Sequence, residues 1–281
     1  MKLVTFEVDG RCRAGRLEGE EIVEIGASLK EILAGAPHQP GARHALGRVK
    51  LRAPIPDPGL VLSVGMNYHE HLKEMKTPVP EKPAAFTKSV ASIIASGEPI
   101  RVPPSHPDML DWEGEFSVVI GRPCHRVSAA QALDYVFGYT LVNDVSARDW
   151  VAPIFQAQGI MGPIHAWEHN LLGKMFPTFC PMGPCIATKD EIPDPADVRI
   201  QTRLNGRLMQ DASTDDLVFS VVQLIEYYSQ FYLFRPGDVI TTGSPSGVGF
   251  GRSPKVFMKP GDVVEVEVKE IGILRNPIEA P

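Results

Sequence analysis

In the N-terminal part of the chain, hydrophobic and polar positions alternate over short distances. Residues 2–9, 14–18 and 21–24 show this period of two and are separated by polar turns, which predicts three short strands. Ser28 is a helix-capping residue type, and it predicts a short helix from there to Ala34. The pattern therefore predicts a small N-terminal α/β unit.

The middle of the chain carries continuous apolar runs instead of alternating ones. Residues 60–64, 116–121 and 138–142 are rich in β-branched and aromatic side chains, which is typical of buried strands. Asn205-Gly206 lies between two alternating segments of residues 200–209, a pattern that favours a tight β-hairpin. Most of this part is therefore predicted to be β-structure.

Few segments have the period of a helix. Ser128 to Tyr135 begins with a capping-box pattern, and Asp215 to Ser229 has the apolar spacing of one long amphipathic helix. Pro-Gly-Asp turns at 236–238 and 260–262 each precede a further strand. Strands and helices do not alternate regularly, which predicts a mostly β (α+β) fold class and argues against a doubly wound sheet.

One proline-rich stretch divides the chain. Residues 53–58 contain three prolines, which interrupt regular structure. We expect a small N-terminal domain at residues 1–56 and a larger domain at residues 57–281.

Composition and charge narrow the function classes. The formal net charge of −6 argues against nucleic acid and against an anionic membrane as partners. No apolar run approaches the ~20 residues that span a bilayer, and the charged, alternating N-terminus resembles a strand and not a signal peptide. The four cysteines have no paired CxxC spacing, as expected for reduced thiols without a zinc site. We therefore expect a cytoplasmic protein.

Two carboxylates at the start of a buried strand suggest a metal site. Glu113 and Glu115 are two residues apart and extend from the same face of the strand, where they would repel each other unless a cation lay between them. Asp144, at the end of another buried strand, is the best third ligand. Three carboxylates without a nearby Cys or His favour Mg²⁺, with Mn²⁺ or Ca²⁺ as alternatives. The spacing alone also allows Asp144 to cap a turn and the glutamates to form exposed ion pairs.

Six short motifs follow one another between about Leu60 and Asn276. They are Gly65-Met66-Asn67-Tyr68 with His71 and Glu74, Asp111-Trp112-Glu113-Gly114-Glu115, Asn143-Asp144-Val145-Ser146-Ala147-Arg148-Asp149, Gly173-Lys174-Met175-Phe176, Asn205-Gly206, and Pro236-Gly237-Asp238 followed by residues 239–245. In this order, they resemble the motifs of the fumarylacetoacetate hydrolase family.

The resemblance implies a mixed β-sandwich roll and a homodimer, with Mg²⁺ or Mn²⁺ on Glu113, Glu115 and Asp144. It implies a metal-dependent hydrolase that cleaves a carbon–carbon bond in a 2,4-dioxo acid of the acylpyruvate type and releases pyruvate as its enolate. The alternative with the same site is decarboxylation of oxaloacetate or isomerisation of a 2-hydroxy-dienoate. A further alternative is a ligand-binding relative that has lost catalysis.

The catalytic group of this family corresponds to His71, Glu74 and Lys174. His71 and Glu74 are three residues apart, so on a helix they share a face, and Glu74 can orient His71 while His71 deprotonates a water. Without the resemblance, this pair would be interpreted as a solvated helix face. By resemblance, Lys174 donates to the developing oxyanion.

The resemblance also implies four substrate-binding residues: Arg148, Ser244, Gly243 and Tyr68. Arg148 would hold a carboxylate of the substrate or one beside the metal. Ser244 stands where the family usually has threonine, and it keeps the hydroxyl. The partner is thus a small keto or diketo acid.

The segment from Trp150 to Lys174 departs from the family pattern. Val151 occupies the place of a common glutamine, for which Gln156 or Gln158 would have to substitute. Asn170 and Pro177 replace common Trp and Asp, and the segment is about ten residues longer than usual. These changes fall in one wall of the expected substrate pocket, so they bear on substrate choice.

The same segment contains His165-Ala166-Trp167-Glu168-His169, an H-x-x-E-H pattern. A zinc peptidase would need it on one continuous helix. Gly162-Pro163 before it and residues 170–173 after it argue against a long helix, so we expect a histidine pair in a loop.

Overall fold

The structure is a computed structural model that describes residues 1–26, 28–151 and 158–281. Its strands are β1 Lys2–Val8, β2 Arg11–Glu18, β3 Glu21–Gly26, β4 Arg43–Ala45, β5 Lys50–Arg52, β6 Val61–Gly65, β7 Ala84–Thr87, β8 Ile93–Ile94, β9 Ile100–Arg101, β10 Leu110–Asp111, β11 Gly114–Ile120, β12 Val136–Asn143, β13 Ser146–Ala147, β14 Cys180–Thr188, β15 Arg199–Leu204, β16 Arg207–Ser213, β17 Val239–Thr241, β18 Val263–Val268 and β19 Gly272–Glu279.

Helices are few and short in the described residues. The α-helices are α1 Leu29–Leu33, α2 His69–Glu74, α3 Arg148–Val151, α4 Gly162–Leu172 and α5 Val221–Ser229, and 3-10 helices occur at Leu46–Arg48, Val90–Ser92, Ala129–Tyr135 and Thr214–Asp216. The mostly β fold class predicted from the sequence is confirmed.

Two mixed sheets pack against each other. The larger one has the order β4-β3-β2-β1-β14-β12-β11-β17-β6-β7, with β5 beside β1 and β8 beside β14, and the smaller one has the order β16-β15-β18-β19-β9. The pairs β6–β17, β8–β14 and β9–β19 are parallel, and the other pairs are antiparallel. The main core lies between the sheets and beneath α5, which gives the expected β-sandwich roll.

Strand patterns explain the two layers. β11 is buried along its whole length because it is central in the large sheet and covered on both faces. β18 alternates instead: Val264, Val266 and Val268 face the core while Glu265 and Glu267 face outward. The hairpin predicted at Asn205-Gly206 joins β15 and β16.

The N-terminal strands extend the large sheet. β1 pairs with β14, and Leu3 lies opposite Ile186. The boundary proposed between residues 1–56 and 57–281 therefore falls within one continuous sheet and stays a prediction.

Two predicted helices differ from the structure. Residues 129–135 form a 3-10 helix, and the long helix expected from Asp215 begins only at Val221. The reason is Asn67, whose backbone and side-chain oxygens accept hydrogen bonds from the backbone N–H groups of Val218 (2.9 Å) and Phe219 (2.9 Å). These bonds hold the chain extended until Ser220 begins α5 with a capping box.

Candidate functional site

Three carboxylates meet where β11 begins and β12 ends. Glu113 directly precedes β11, Glu115 is the second residue of β11, and Asp144 directly follows β12. The two strands are antiparallel neighbours, with Gly114 opposite Asn143, so the sequence-distant Asp144 is brought beside the glutamates. All three are buried, and one oxygen of each lies within 4.8 Å of the others.

Backbone hydrogen bonds fix this arrangement. The Glu113 N–H donates to Oδ1 of Asn143 (2.9 Å), and the Asp144 N–H donates to the Glu113 carbonyl (2.9 Å). The Gly243 N–H donates to Oε2 of Glu115 (3.2 Å). These bonds fix the backbone of Glu113 and Asp144 and orient the carboxylate of Glu115.

Three buried cations surround the cluster. Lys174 Nζ donates to Asp144 Oδ2 (2.7 Å) and Glu113 Oε2 (2.5 Å), and Lys88 forms an ion pair with Asp144. Arg148 Nε donates to Asp111 Oδ2 (2.9 Å), and its Nη2 donates to Glu113.

The pKa values of the two glutamates are pushed in opposite directions. Burial raises the pKa of Glu113, but the charges of Arg148 and Lys174 outweigh this and leave it well below its usual range. For Glu115, burial and then the negative charges of Asp144 and Glu113 raise the pKa well above its usual value. Burial would lower the pKa of Lys174, yet Asp144 and Glu113 leave it raised. The negative charge of Glu115 is therefore less well offset by neighbouring positive charges than that of Glu113.

The donor set fits a divalent cation. Glu115 has no ion-pair partner within residues 1–26, 28–151 and 158–281, although it is 1% exposed. A hard cation bound by all-oxygen ligands would supply the missing positive charge. These three residues can hold such an ion, as the sequence predicted.

His71 and Glu74 form a pair beside the cluster. His71 Nδ1 lies 2.9 Å from Glu74 Oε2, with both side chains on one face of α2. An ionised carboxylate only accepts hydrogen bonds, so Nδ1 carries the proton and Nε2 is the basic nitrogen of the neutral ring. The other oxygen of Glu74 accepts a hydrogen bond from the Gly247 N–H (3.0 Å).

One cavity of about 270 Å³ brings these groups together. Its wall contains His71, Lys174 and the three carboxylates. The rest of the wall is largely apolar, and its larger side chains are Met66, Met75, Phe86, Trp167, Val248 and Phe250. Phe86 lies close to the charged groups, with its ring centroid 5.4 Å from Lys174 Nζ. The cavity thus combines charged groups suited to an anionic head group next to a cation with apolar surface for the rest of a small molecule.

Of the four residues predicted to bind substrate, two line the cavity and two do not. Ser244 and Arg148 line the cavity, although the Arg148 guanidinium is occupied by Asp111 and Glu113. The Gly243 amide binds Glu115 and does not line the wall, and Tyr68 is fully buried beside the cavity. Substrate contact by these four residues stays a prediction.

The segment that departs from the family pattern reaches the cavity through α4. Trp167 and Asn170 line the wall, whereas Pro177 does not. Gln158 is exposed and lies outside the wall. Gln156 lies outside the described residues, as does the side chain of Val151.

The expectation of a loop at His165 to His169 is wrong. Gly162–Leu172 is one continuous helix because Pro163 lies in its first turn, where its missing N–H costs no hydrogen bond. His169 nevertheless stacks on Trp150 with ring centroids 4.5 Å apart, and His165 is exposed beside Glu168. Within the residues that the structure describes, the acidic cluster is the only group of metal-ligand type found.

Sequence analysis missed three supporting residues. Lys88 pairs with Asp144, and Asp111 accepts from Arg148 and from the N–H groups of Gly249 (2.7 Å) and Phe250 (3.0 Å). Gln210 donates to Ser244 Oγ (2.8 Å). Asp111 belongs to a recognised motif and so carried a signal, whereas Lys88 follows a strand, Ala84–Thr87, that the sequence analysis did not predict.

Fold and site together define an enzyme whose cavity is built on a carboxylate cluster. Residues 60–279 match the fumarylacetoacetate (FAA) hydrolase C-terminal family, and residues 1–54 match the family described as Rv2993c-like, N-terminal. The chain belongs to the fumarylacetoacetate hydrolase family. No helix in the described ranges is long and apolar enough to cross a membrane.

Three similar proteins carry three different reaction names. The mitochondrial oxaloacetate tautomerase fahd2 of Xenopus laevis is 41% identical over 92% of this chain and 77% of its own. The solved fumarylacetoacetate hydrolase of Exiguobacterium antarcticum is 36% identical, with a TM-score of 0.86 and full coverage of both chains. The 2-hydroxyhepta-2,4-diene-1,7-dioate isomerase of Mycobacterium marinum is 34% identical, with a TM-score of 0.81 and coverage of 100% and 98%.

Proposed function

We propose that the chain is a divalent-metal-dependent tautomerase that interconverts the keto and enol forms of a 2-oxo dicarboxylic acid of the oxaloacetate type. One observation supports this proposal most strongly. The His71 imidazole, which is paired with Glu74, lines the same cavity of about 270 Å³ as the buried ammonium group of Lys174 and the carboxylate cluster. We propose Mg²⁺ or Mn²⁺ on Glu113, Glu115 and Asp144, with Ca²⁺ as an alternative.

Charge supports an anionic substrate. When all of them are ionised, four buried carboxylates and three buried cations leave one net negative charge. The carboxylates are Asp111, Glu113, Glu115 and Asp144, and the cations are Lys88, Arg148 and Lys174. A divalent ion would bring the total to +1. The loaded site would then attract a carboxylate and stabilise negative charge on its neighbouring carbonyl oxygen.

The proton transfers of this reaction can be assigned to side chains of the cavity. When the enol forms, the C3–H bond breaks and His71 Nε2 takes the proton, while Glu74 stabilises the resulting imidazolium. The C2 oxygen gains the negative charge, and Lys174 Nζ donates a hydrogen bond to it. The proton on His71 Nε2 is then transferred to that oxygen, which restores the neutral imidazole, so no water is consumed and no carbon–carbon bond breaks.

The sequence alone favoured hydrolysis of a 2,4-dioxo acid over reactions of oxaloacetate. The frog relative's name supports an oxaloacetate reaction, and the Mycobacterium marinum protein's name also describes an isomerisation. Hydrolysis remains the second candidate because a solved hydrolase shares the fold at a TM-score of 0.86 and the same imidazole is suited to deprotonate a water.

A comparison of products separates the two candidates. Freshly dissolved enol-oxaloacetate and a 2,4-dioxo acid are each added to the Mg²⁺-loaded protein, while ultraviolet absorbance reports the enol and coupled lactate dehydrogenase reports pyruvate. We expect rapid loss of the enol without pyruvate above the spontaneous rate. Faster release of pyruvate from the 2,4-dioxo acid than ketonisation of oxaloacetate would favour the hydrolase.

We also propose that the protein acts as a cytoplasmic homodimer on a small keto acid. Both proposals follow from the family resemblance and the composition. Light scattering during size-exclusion chromatography measures the assembly, and a monomer at working concentration would contradict the dimer.

A further inference from the structure

Lys88 lies behind the carboxylate cluster. It directly follows β7, its side chain is 0% exposed, and it is not part of the cavity wall. A buried ammonium group costs several kcal/mol unless it is paired and hydrogen-bonded, so its partners indicate what keeps it there.

Both partners of Lys88 belong to the site. Its Nζ donates to Oδ1 of Asp144 and to the backbone carbonyl of Lys174 (2.7 Å). Lys88 thereby joins a carboxylate of the cluster to the main chain of the turn that carries the cavity lysine.

The two oxygens of Asp144 have different surroundings. Oδ1 is bonded by Lys88, which lies outside the cavity wall. Oδ2 accepts from Lys174 Nζ (2.7 Å), which lines the cavity, and from Ser63 Oγ (3.4 Å). Oδ1 is therefore held by a buried ammonium group outside the cavity wall, whereas Oδ2 is bonded by the cavity lysine and only by a long hydroxyl contact from outside the wall.

We propose that Lys88 is a positioning residue that restricts Asp144 to one ligand oxygen and thereby makes the site prefer Mn²⁺ and Mg²⁺ over Ca²⁺. Mg²⁺ requires near-ideal octahedral geometry, whereas Ca²⁺ takes 6–8 oxygens and often binds both oxygens of a carboxylate. With Oδ1 engaged by Lys88, the second oxygen is withheld from the larger ion. The inference rests on the metal ligands of the proposed function and not on its reaction.

The test measures metal binding alone. Mn²⁺ binding to Lys88→Met and to the wild-type protein is measured from the free-ion electron paramagnetic resonance signal, and Ca²⁺ binding from its displacement of Mn²⁺. Removing a positive charge strengthens the attraction of both divalent ions alike, so the ratio of the two dissociation constants reports the freed oxygen. We expect the Ca²⁺/Mn²⁺ ratio of dissociation constants to fall about tenfold, as for other residues that support metal ligands.

Two further variants control the result. Lys73→Met removes an exposed lysine of α2 whose charge pairs only with Glu70 among the described residues, and it should leave the ratio within about twofold. Lys88→Gln keeps an N–H donor without the charge, so its ratio should fall less than that of Lys88→Met, and it replaces that variant if Lys88→Met does not fold.

Three outcomes are decisive. A lowered ratio in Lys88→Met, with a smaller change in Lys88→Gln, supports the role of Lys88. An unchanged ratio, or an equal loss of both ions, overturns it while the metal site stands. A wild-type protein that binds neither ion contradicts the metal site itself and with it the proposed function.

Discussion

His71 lies in the cavity wall, and Glu74 holds it from behind, so the two side chains can be tested separately. His71→Gln removes the base, and we expect kcat for enol–keto conversion to fall by about 10²–10⁴-fold. Glu74→Gln keeps the shape but loses the charge that stabilises imidazolium, so a smaller fall is expected. The matched control is Glu70→Gln, an exposed position on the same helix, which should keep the wild-type kcat. A His71→Gln variant with normal kcat would refute the assignment.

Glu115 makes the stability of the metal-free protein depend on pH. Its pKa is raised by burial and by Asp144 and Glu113, so the folded protein binds this proton more tightly than the unfolded chain does. Its stabilising contribution is complete below about pH 4.3, the usual glutamate pKa, and is lost as the pH rises through the raised value.

We therefore expect the unfolding temperature of the chelator-treated wild-type protein to fall as the pH rises over that range. Glu115→Gln should not show this fall, because its side chain cannot ionise there. Thermal unfolding in a pH series measures this difference, and the same series on Glu70→Gln provides the exposed control. Parallel profiles for the wild type and Glu115→Gln would contradict the raised pKa.

The residues of the cluster differed in how far the sequence could place them. Glu113, Glu115 and Asp144 were predictable because each adjoins a strong strand pattern, and a carboxylate at such a position needs a partner. Lys88 was not, because its burial depends on a turn 86 residues away in the chain. Arg148 had two plausible partners, and only packing showed that Asp111 and Glu113 occupy it.

Among the secondary-structure elements, α4 contributes Trp167 and Asn170 to the part of the cavity wall that could not be predicted from the sequence. Trp167 lines the cavity from this helix and is 44% exposed, so replacing it by alanine should change stability little. We expect Trp167→Ala to raise KM several-fold with nearly unchanged kcat, because it removes apolar contact with the substrate and leaves the acid–base groups in place.

Steady-state kinetics on the proposed keto acid check this expectation. Ile164→Ala is the matched control, since Ile164 is exposed on the same helix and does not line the cavity. A fall in kcat with constant KM for Trp167→Ala would show that α4 supports the chemistry instead of binding.

Helix boundaries were predicted less well than strands, for local reasons. Pro163 was interpreted as a helix breaker, yet it lies in the first turn of α4, where proline is tolerated. The helix expected from Asp215 is delayed to Val221 because distant Asn67 binds the preceding backbone. Strand patterns were more reliable because burial determines the residue types directly: a strand buried on one face alternates apolar and polar residues, and one buried on both faces is continuously apolar.

Over the whole molecule, the N-terminal strands complete the large sheet. β1 pairs with β14, and Leu3 and Phe6 are buried in the two main cores. Removing residues 1–56 would expose the edge of β14 and apolar surface, and such edges promote aggregation. We expect the shortened chain to aggregate in size-exclusion chromatography and to lack a cooperative thermal transition. A soluble fragment that unfolds cooperatively would contradict this and support two independent domains.

The most direct test of the central claim follows enol-oxaloacetate in protein stripped of divalent ions and again after Mg²⁺ or Mn²⁺ is restored. We predict that stripping removes the catalysed loss of enol absorbance, that either ion restores it, and that pyruvate does not form above the spontaneous rate. Glu115→Gln should stay inactive at ion concentrations that saturate the wild type. Full activity after complete removal of divalent ions would contradict the account.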